Sequence, residues 1–408
     1  MNHGLFSDTE KHSIEQRIQE LIYANFTVTR FSFRKIRVMV DNNQVPQFIP
    51  TYEVLRRSDT SDRMKILMKA LSPLGFVPFL RTDPNLEKSR LLLLIFPFHP
   101  RKSSNERNKA IILFVATLLS VFFIGWFMGK ANEILSIDVT RTVDHPIIGK
   151  VDFSYLSKSL SDPLLSAIGY TVALLGIILI HEIGHKLVAR KYGIDSSLPY
   201  FIPLPVGYGT MGAFINQRSP LQDRNALFDL GISGPYTGLA VTFLVTAFGL
   251  SLSKTVPVGS VANLDSLPFE VILFNLFERL IVNCPAGYIT VIHPIAFAGW
   301  VGFLISGLNL LPLGQLDGGH VARSMLDDEK HKYLTFAMSG LMIILQFYLM
   351  ALIILIFYLL VGHPGPLDDV TSITPTRKII GGLSFLLALL CLPIPSELYS
   401  QLVSPFGL

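Results

Sequence analysis

Two histidines four residues apart, with a glutamate beside the first, are the residues in this chain best placed to do chemistry: His181-Glu182-Ile183-Gly184-His185. On a helix, positions four apart lie on one face. The two imidazoles can then share one metal ion, and zinc suits such a pair. Glu182 projects roughly 100° round the helix from His181. Its carboxylate can reach a water beside the ion without becoming a ligand, and can take that water's proton. The plain alternative is a pair of interface histidines making ordinary hydrogen bonds. The preceding sequence argues against it: eighteen uncharged residues, 163–180, lead directly into His181. Ionisable groups at such depth are costly and usually functional.

The elements that must position these groups are membrane helices. Half of the 408 residues are hydrophobic and 16% are charged, and the mean hydropathy is +0.47. A soluble chain of this size carries more surface charge. Six stretches, roughly 110–129, 163–185, 229–252, 294–313, 334–361 and 379–394, satisfy the length and apolarity of a spanning helix. The fifth is long, and tilt or a kink would absorb the excess. A seventh stretch, 268–284, carries Glu270, Glu278 and Arg279 and reads as an interfacial helix.

Positive residues gather before the first span (Arg101, Lys102, Arg107, Lys109), after the second (Lys186, Arg190, Lys191, Arg218, Arg224) and after the fourth (Arg323, Lys330, Lys332). Six spans put all three groups, and both termini, on the cytoplasmic side. The loops near 130–162, 253–293 and 362–377 then fall on the other side. The expected fold is an all-α polytopic protein of the cell membrane, with about six transmembrane helices and a small soluble α+β domain at the N-terminus.

That domain covers residues 1–105. Residues 10–24 read as a helix, and Thr27–Asp41 alternates like a strand or hairpin. Ser61–Leu71 reads as a second helix with Ser61 as its N-cap. Phe76–Phe79 and Leu91–Phe98 read as strands, the latter too short to span as a helix. The membrane domain is 106–395, with a catalytic core at about 163–330, and 396–408 is a tail. Met1–Asn25 is polar and has no apolar core, so no signal peptide is assigned and the first span is expected to start insertion.

Two histidines leave a catalytic zinc one protein ligand short. The fourth span runs out into Asn309-Leu310-Leu311-Pro312-Leu313-Gly314-Gln315-Leu316-Asp317-Gly318-Gly319-His320. Asp317 is the lone carboxylate after a long uncharged stretch. The second and fourth spans both run toward the cytoplasm, so Asp317 should lie at the depth of His181 and His185. Gly314, Gly318 and Gly319 would let the backbone turn the carboxylate inward. His320 is the rival third ligand, although a histidine near an interface needs no metal to explain it. His293 opens the fourth span at the opposite face and is not expected to bind metal. His99, His145, His331 and His363 stand alone in loops and receive no role.

HEIGH followed by NLLPLGQLDGG resembles the site-2 protease family of intramembrane zinc metalloproteases. FIPLP at 201–205, GAFI at 212–215, GISGP at 231–235 and HPIAFAGWVGFL from His293 extend the likeness across most of 163–330. It is closest to the archaeal and plastid branch, and the first hundred and last seventy residues add little. The resemblance implies Zn2+ held by His181, His185 and Asp317, with Glu182 as the base. It implies a membrane-spanning or membrane-tethered protein substrate, cut in or beside the lipid bilayer. It makes Asn309 a donor to the developing oxyanion, against a plain helix–helix hydrogen bond. It sets Gly234 and Gly238 beside the catalytic helices, where close helix packing is the simpler account. Phe201–Gln217, with its prolines and glycines, reads as a membrane-dipping hairpin whose edge could pair with an unwound substrate, or as a connecting loop.

Other classes fit less well. A metal transporter needs no glutamate beside its first ligand and often shows internal repeats, which are absent here. An inactive relative that binds membrane proteins would not need Glu182. The net charge of +4 comes without a basic, aromatic-interleaved stripe, which argues against nucleic acid. Cys284 and Cys391 form no CxxC pair, so a thiolate zinc site is excluded, and both read as buried free thiols. Oligomeric state is not written in the sequence.

Overall fold

The computed structural model describes residues 8–40, 43–98, 105–134, 142–145, 149–152, 162–258, 269–396 and 399. The N-terminal region is α+β. Helix α1 (Asp8–Asn25) precedes a long hairpin of β1 (Val28–Val40) and β2 (Asn43–Leu55). Then come α2 (Thr60–Leu71), β3 (Phe76–Arg81) and β4 (Arg90–Pro97). The four strands form an antiparallel sheet of order β1-β2-β4-β3. The unbroken apolar run of β4 follows from burial on both faces. Leu91, Leu93 and Ile95 pack with Ile22 of α1 and with Met64 and Leu67 of α2. Leu92 and Leu94 pack with Ile49 on the other face. The expected cap at Ser61 is displaced: α2 starts at Thr60, whose hydroxyl is held by Arg57 N–H at 2.8 Å, and Asp59 occupies the cap position without a side-chain bond.

Beyond residue 105 the described chain is mostly helical. Three helices are long and apolar enough to cross a membrane: α3 (Glu106–Ile134), α4 (Pro163–Lys191) and α5 (Arg224–Ser251). Helix α4 begins where Asp162 accepts hydrogen bonds from the amides of Leu164 and Leu165, with Pro163 in the first turn. Asp223 caps α5 in the same way through Ala226 N–H. Between α4 and α5 lies a two-stranded hairpin, β7 (Tyr200–Pro203) and β8 (Thr210–Phe214). A shorter ladder, β5 (Thr142–His145) with β6 (Gly149–Asp152), precedes α4.

After α5, β9 (Lys254–Pro257) pairs with β11 (Tyr288–Val291). Between them lie β10 (Phe269–Val271) and α6 (Ile272–Ile281), within the stretch expected to be interfacial, with Phe274 buried in the main core. Helix α7 (Pro294–Leu310) returns, capped by the imidazole of His293, which accepts from Ile295 N–H. Helix α7 stops short of the expected 313, because Pro312 cannot continue it. Short helix α8 (Asp317–Met325) follows.

The fifth expected span is not one helix. The chain breaks at 345–347, where Gln346 has φ of 66°, into α9 (Asp328–Ile344) and α10 (Tyr348–Val361). His331 near the start of α9 lies 3.3 Å from the hydroxyl of Tyr358 near the end of α10, so the two form an antiparallel hairpin. Residues 362–374 therefore return to the end of the bundle from which α9 departs. There Asp369 meets Arg224 at 3.1 Å and Arg323 at 2.6 Å. The expectation that 362–377 lies on the opposite side is overturned. The expected six transmembrane helices are not confirmed: α3, α4 and α5 are long and apolar enough to cross, and α7 and α10 are shorter apolar helices. Helix α11 (Pro375–Cys391) leaves from this same end and leads to β12 (Pro393–Pro395), paired with β10. Cys391 is buried as expected, whereas Cys284 is exposed.

Candidate metal centre

The centre is built where α4, α5 and the turn from α7 into α8 meet. Glycine sets the approach of α5. A Cβ on Gly234 would stand against the imidazole of His185, and one on Gly238 would meet His181 Nδ1 at 3.1 Å. On α4, a Cβ at Gly184 would lie 2.7 Å from the carbonyl of Ser233. The small residues of α5 thus do more than pack two backbones: they vacate the volume that the two imidazoles fill.

His185 Nδ1 donates to the carbonyl of Leu230 at 2.9 Å. That bond fixes the tautomer and leaves Nε2 with its lone pair free. His185 Nε2 lies 3.2 Å from His181 Nε2. Asp317 Oδ2 is 3.2 Å from His181 Nε2 and 3.3 Å from His185 Nε2. The three atoms make a nearly equilateral triangle. Ligands about 2.0 Å from a tetrahedral zinc stand ~3.3 Å apart, so this donor set fits that ion in size and in kind. Among the described residues, these three are the group of His, Cys, Asp and Glu close enough to share a metal.

Asp317 reaches the site because the chain reverses after α7. Gly314 takes φ of 56°, a left-handed value that favours glycine, and a Cβ on Gly319 would sit 2.8 Å from the carbonyl of Leu313. Asp317 then opens α8 with its carboxylate toward the imidazoles. His320, the rival ligand, is not among the three converging donors, and its Nδ1 lies 2.8 Å from Nε2 of His363.

Glu182 is 3% exposed, and its Oε2 has no hydrogen-bond partner. A buried carboxylate oxygen without a partner is strongly unfavourable in a purely structural role. It lines a cavity of about 230 Å³ together with His181, His185, Asn309, Asp317 and His320. At ~30 Å³ per water, that space admits several waters. Asn309 lines this cavity. The rim is formed by Ala213, Phe214, Ile215 and Gln217, at and just after β8. Met211 and Phe214 of that strand are 62% and 51% exposed.

A His, His, carboxylate donor set beside a buried glutamate, sunk between apolar helices, is a group that could hold a metal ion. Residues 169–355 match the model of peptidase family M50. The chain is similar to a probable chloroplastic zinc metalloprotease, EGY1 of Arabidopsis thaliana, at 31% identity over 72% of this chain and 54% of the relative. EGY1 of Oryza sativa subsp. japonica is 32% identical over 52% of this chain and 36% of its own length. EGY2 of Arabidopsis thaliana is 29% identical over 55% and 41%. The chain thus spans about half the length, or less, of these curated relatives. No solved structure matches it.

Sequence reasoning missed the backbone carbonyl of Leu230, which no side-chain pattern can reveal. It also missed His363, an isolated histidine whose neighbours in sequence carry no chemistry.

Proposed function

We propose that this protein is an intramembrane zinc metalloprotease that hydrolyses peptide bonds of membrane-spanning or membrane-tethered proteins. The observation that carries this reading is the meeting of three convergent donor atoms with a buried, unpartnered Glu182 oxygen in one cavity. His181, His185 and Asp317 hold the zinc. Bound there, zinc supplies Lewis-acid chemistry: it polarises the substrate carbonyl and lowers the pKa of a neighbouring water. Glu182 accepts the proton of the attacking water and delivers it to the leaving amine. The Asn309 amide donates to the oxygen of the substrate carbonyl as charge develops there.

A peptide bond inside a helix is shielded and already hydrogen-bonded, so substrate must arrive extended. The open edge of β8 beside the cavity offers main-chain groups to hold it so. Proline scanning across 211–216 should impair cleavage with zinc retained, and wild-type activity in those variants would defeat this part of the reading.

In the bilayer, we take α3, α4, α5, α7 and α11 as crossings and α9–α10 as a hairpin that enters and leaves on one side. The positive residues put the N-terminal domain, up to about residue 105, and the mouth of the cavity in the cytoplasm, with the chain in the cell membrane. The cytoplasmic C-terminus expected from six crossings is dropped with the fifth crossing.

The test is direct. Wild type and Glu182→Gln are purified, bound zinc is measured, and cleavage of a membrane-tethered reporter is assayed. Zinc in both and cleavage by the wild type alone is expected. Equal cleavage by both ends the assignment. Cleavage lost together with zinc would move Glu182 into the metal shell.

A further inference from the structure

The segment after α10 carries His363 against His320, just behind the lining of the metal centre. The amide of Gly365 donates to His363 Nδ1 at 3.1 Å. An imidazole that accepts at Nδ1 and is neutral carries its proton on Nε2. His363 Nδ1 is unprotonated, since it accepts from Gly365, and burial with neighbouring His320, His331 and Arg323 pushes the ring the same way, below the ordinary imidazole range. Its Nε2–H therefore donates across 2.8 Å to His320 Nδ1. His320 must accept there, so its own proton stands on Nε2. His320 lines the cavity beside Glu182, Asn309 and Asp317, and His363 does not. Nε2–H is then the polar edge of this cavity-lining ring that His363 leaves open.

We propose that His320 is a further catalytic donor, presenting a neutral Nε2–H to the substrate carbonyl oxygen, and that His363 is the positioning residue that fixes its tautomer. This rests on the protease reading above. As water adds to the carbonyl carbon, the C=O π pair moves onto oxygen and the water's proton goes to Glu182. His320 forms no bond to substrate carbon and keeps its proton throughout. It hydrogen-bonds the oxygen as negative charge gathers there, from a different element than Asn309.

The segment holding His363 is built to stay still. Gly365 takes φ of 64°, and a Cβ there would meet Arg323 Nη2 at 2.9 Å. That guanidinium is 2% exposed and forks onto both oxygens of Asp369, at 3.0 and 2.6 Å. The carbonyl of Gly362 accepts from the Gln315 amide at 2.5 Å. The backbone of Leu367 bonds to Leu221 on one side at 2.7 Å and to Leu80 of the N-terminal sheet on the other at 2.8 Å. The sheet domain thereby supports a residue of the metal centre that it never touches.

The experiment uses the full chain with the same reporter, zinc analysis, and ¹⁵N spectra of histidine-labelled protein. His320→Leu should lower kcat by roughly 10²–10³-fold, the loss seen for one oxyanion donor, with KM and bound zinc near wild type. His320→Gln, which keeps an N–H near the Nε2 position, should recover much of that loss. His363→Leu should lower kcat by roughly tenfold, and His363→Gln, which keeps the donor, should restore it. The spectra should show both rings as Nε2–H tautomers, with His320 exchanging between tautomers in His363→Leu. Wild-type kcat in His320→Leu, loss of zinc from that variant, or an Nδ1–H signal from His320 would each overturn the proposal. Cleavage by Glu182→Gln would instead remove the protease reading itself.

Discussion

The sheet domain and the metal centre are stabilised by opposite uses of side-chain volume. In the sheet domain large side chains converge: Leu91, Leu93 and Ile95 of β4 fill the space under α1 and α2. In the centre the fit depends on side chains that are missing, since Gly234 and Gly238 stand where α5 faces the imidazoles of His185 and His181. The first region should therefore be sensitive to volume removed, the second to volume added. Water has a lesser part in the second, because lipid is as apolar as the helices and close contact supplies the association.

The largest effect expected lies outside both volume rules. Glu182→Gln changes almost no volume, yet should lower reporter cleavage by about 10²–10⁴-fold with zinc retained, since only the proton acceptor is lost. Leu93→Ala should cost the sheet domain about 2–5 kcal/mol, read by denaturant unfolding, and leave zinc content unchanged. Gly234→Ala, the reverse change in volume, should weaken zinc affinity by about 10–100-fold through displacement of His185, read by competition with a chelator. It should leave unfolding of the sheet domain as it is. If Leu93→Ala released zinc and Gly234→Ala did not, the contrast between the regions would be wrong.

The smallest effect sharpens the comparison from the surface. Asp83 accepts from the Asn85 amide at 2.9 Å and from Arg34 at 2.9 Å. The Asn85 bond first, then Arg34, holds its carboxyl below the ordinary carboxylate range. A depressed folded pKa gives stability above the unfolded value of about 3.9, lost as pH falls through the folded one. Asp83→Asn should therefore cost at most about 1 kcal/mol at neutral pH, given solvent screening, and nothing at a pH below both values. Thermal melts across pH check this.

Legibility in the sequence followed the range of the interactions involved. Most of the N-terminal sheet region could be read from periodicity within short windows, but β2 (Asn43–Leu55), which pairs with both β1 and β4, was not expected as a strand. The His181, Glu182 and His185 set could be read because one helix fixes all three positions. Topology alone set Asp317 near that histidine pair in the expectation, and its carboxylate lies 3.2 Å and 3.3 Å from the two imidazoles. The break at 345–347 was not read, because 334–361 is uncharged and mostly apolar, with Gln346 as the one amide marking the turn, and both one span and a returning hairpin satisfy that composition. Its consequence, the arrival of residues 362–374 beside Arg224 and Arg323, was invisible for the same reason.

By itself, then, the order of residues determined the chemistry on offer: two imidazoles and a carboxylate at helical spacing in an apolar chain, and a second carboxylate at matching depth. Tertiary structure alone decided which atoms meet: Leu230's carbonyl on His185, glycines of α5 against both rings, and His363 on His320. Helical repeat is a local property and is carried in a few neighbouring residues. Contact between segments more than forty positions apart depends on where the chain turns back, and in a mostly apolar stretch that turn leaves little mark in composition, here the single amide of Gln346.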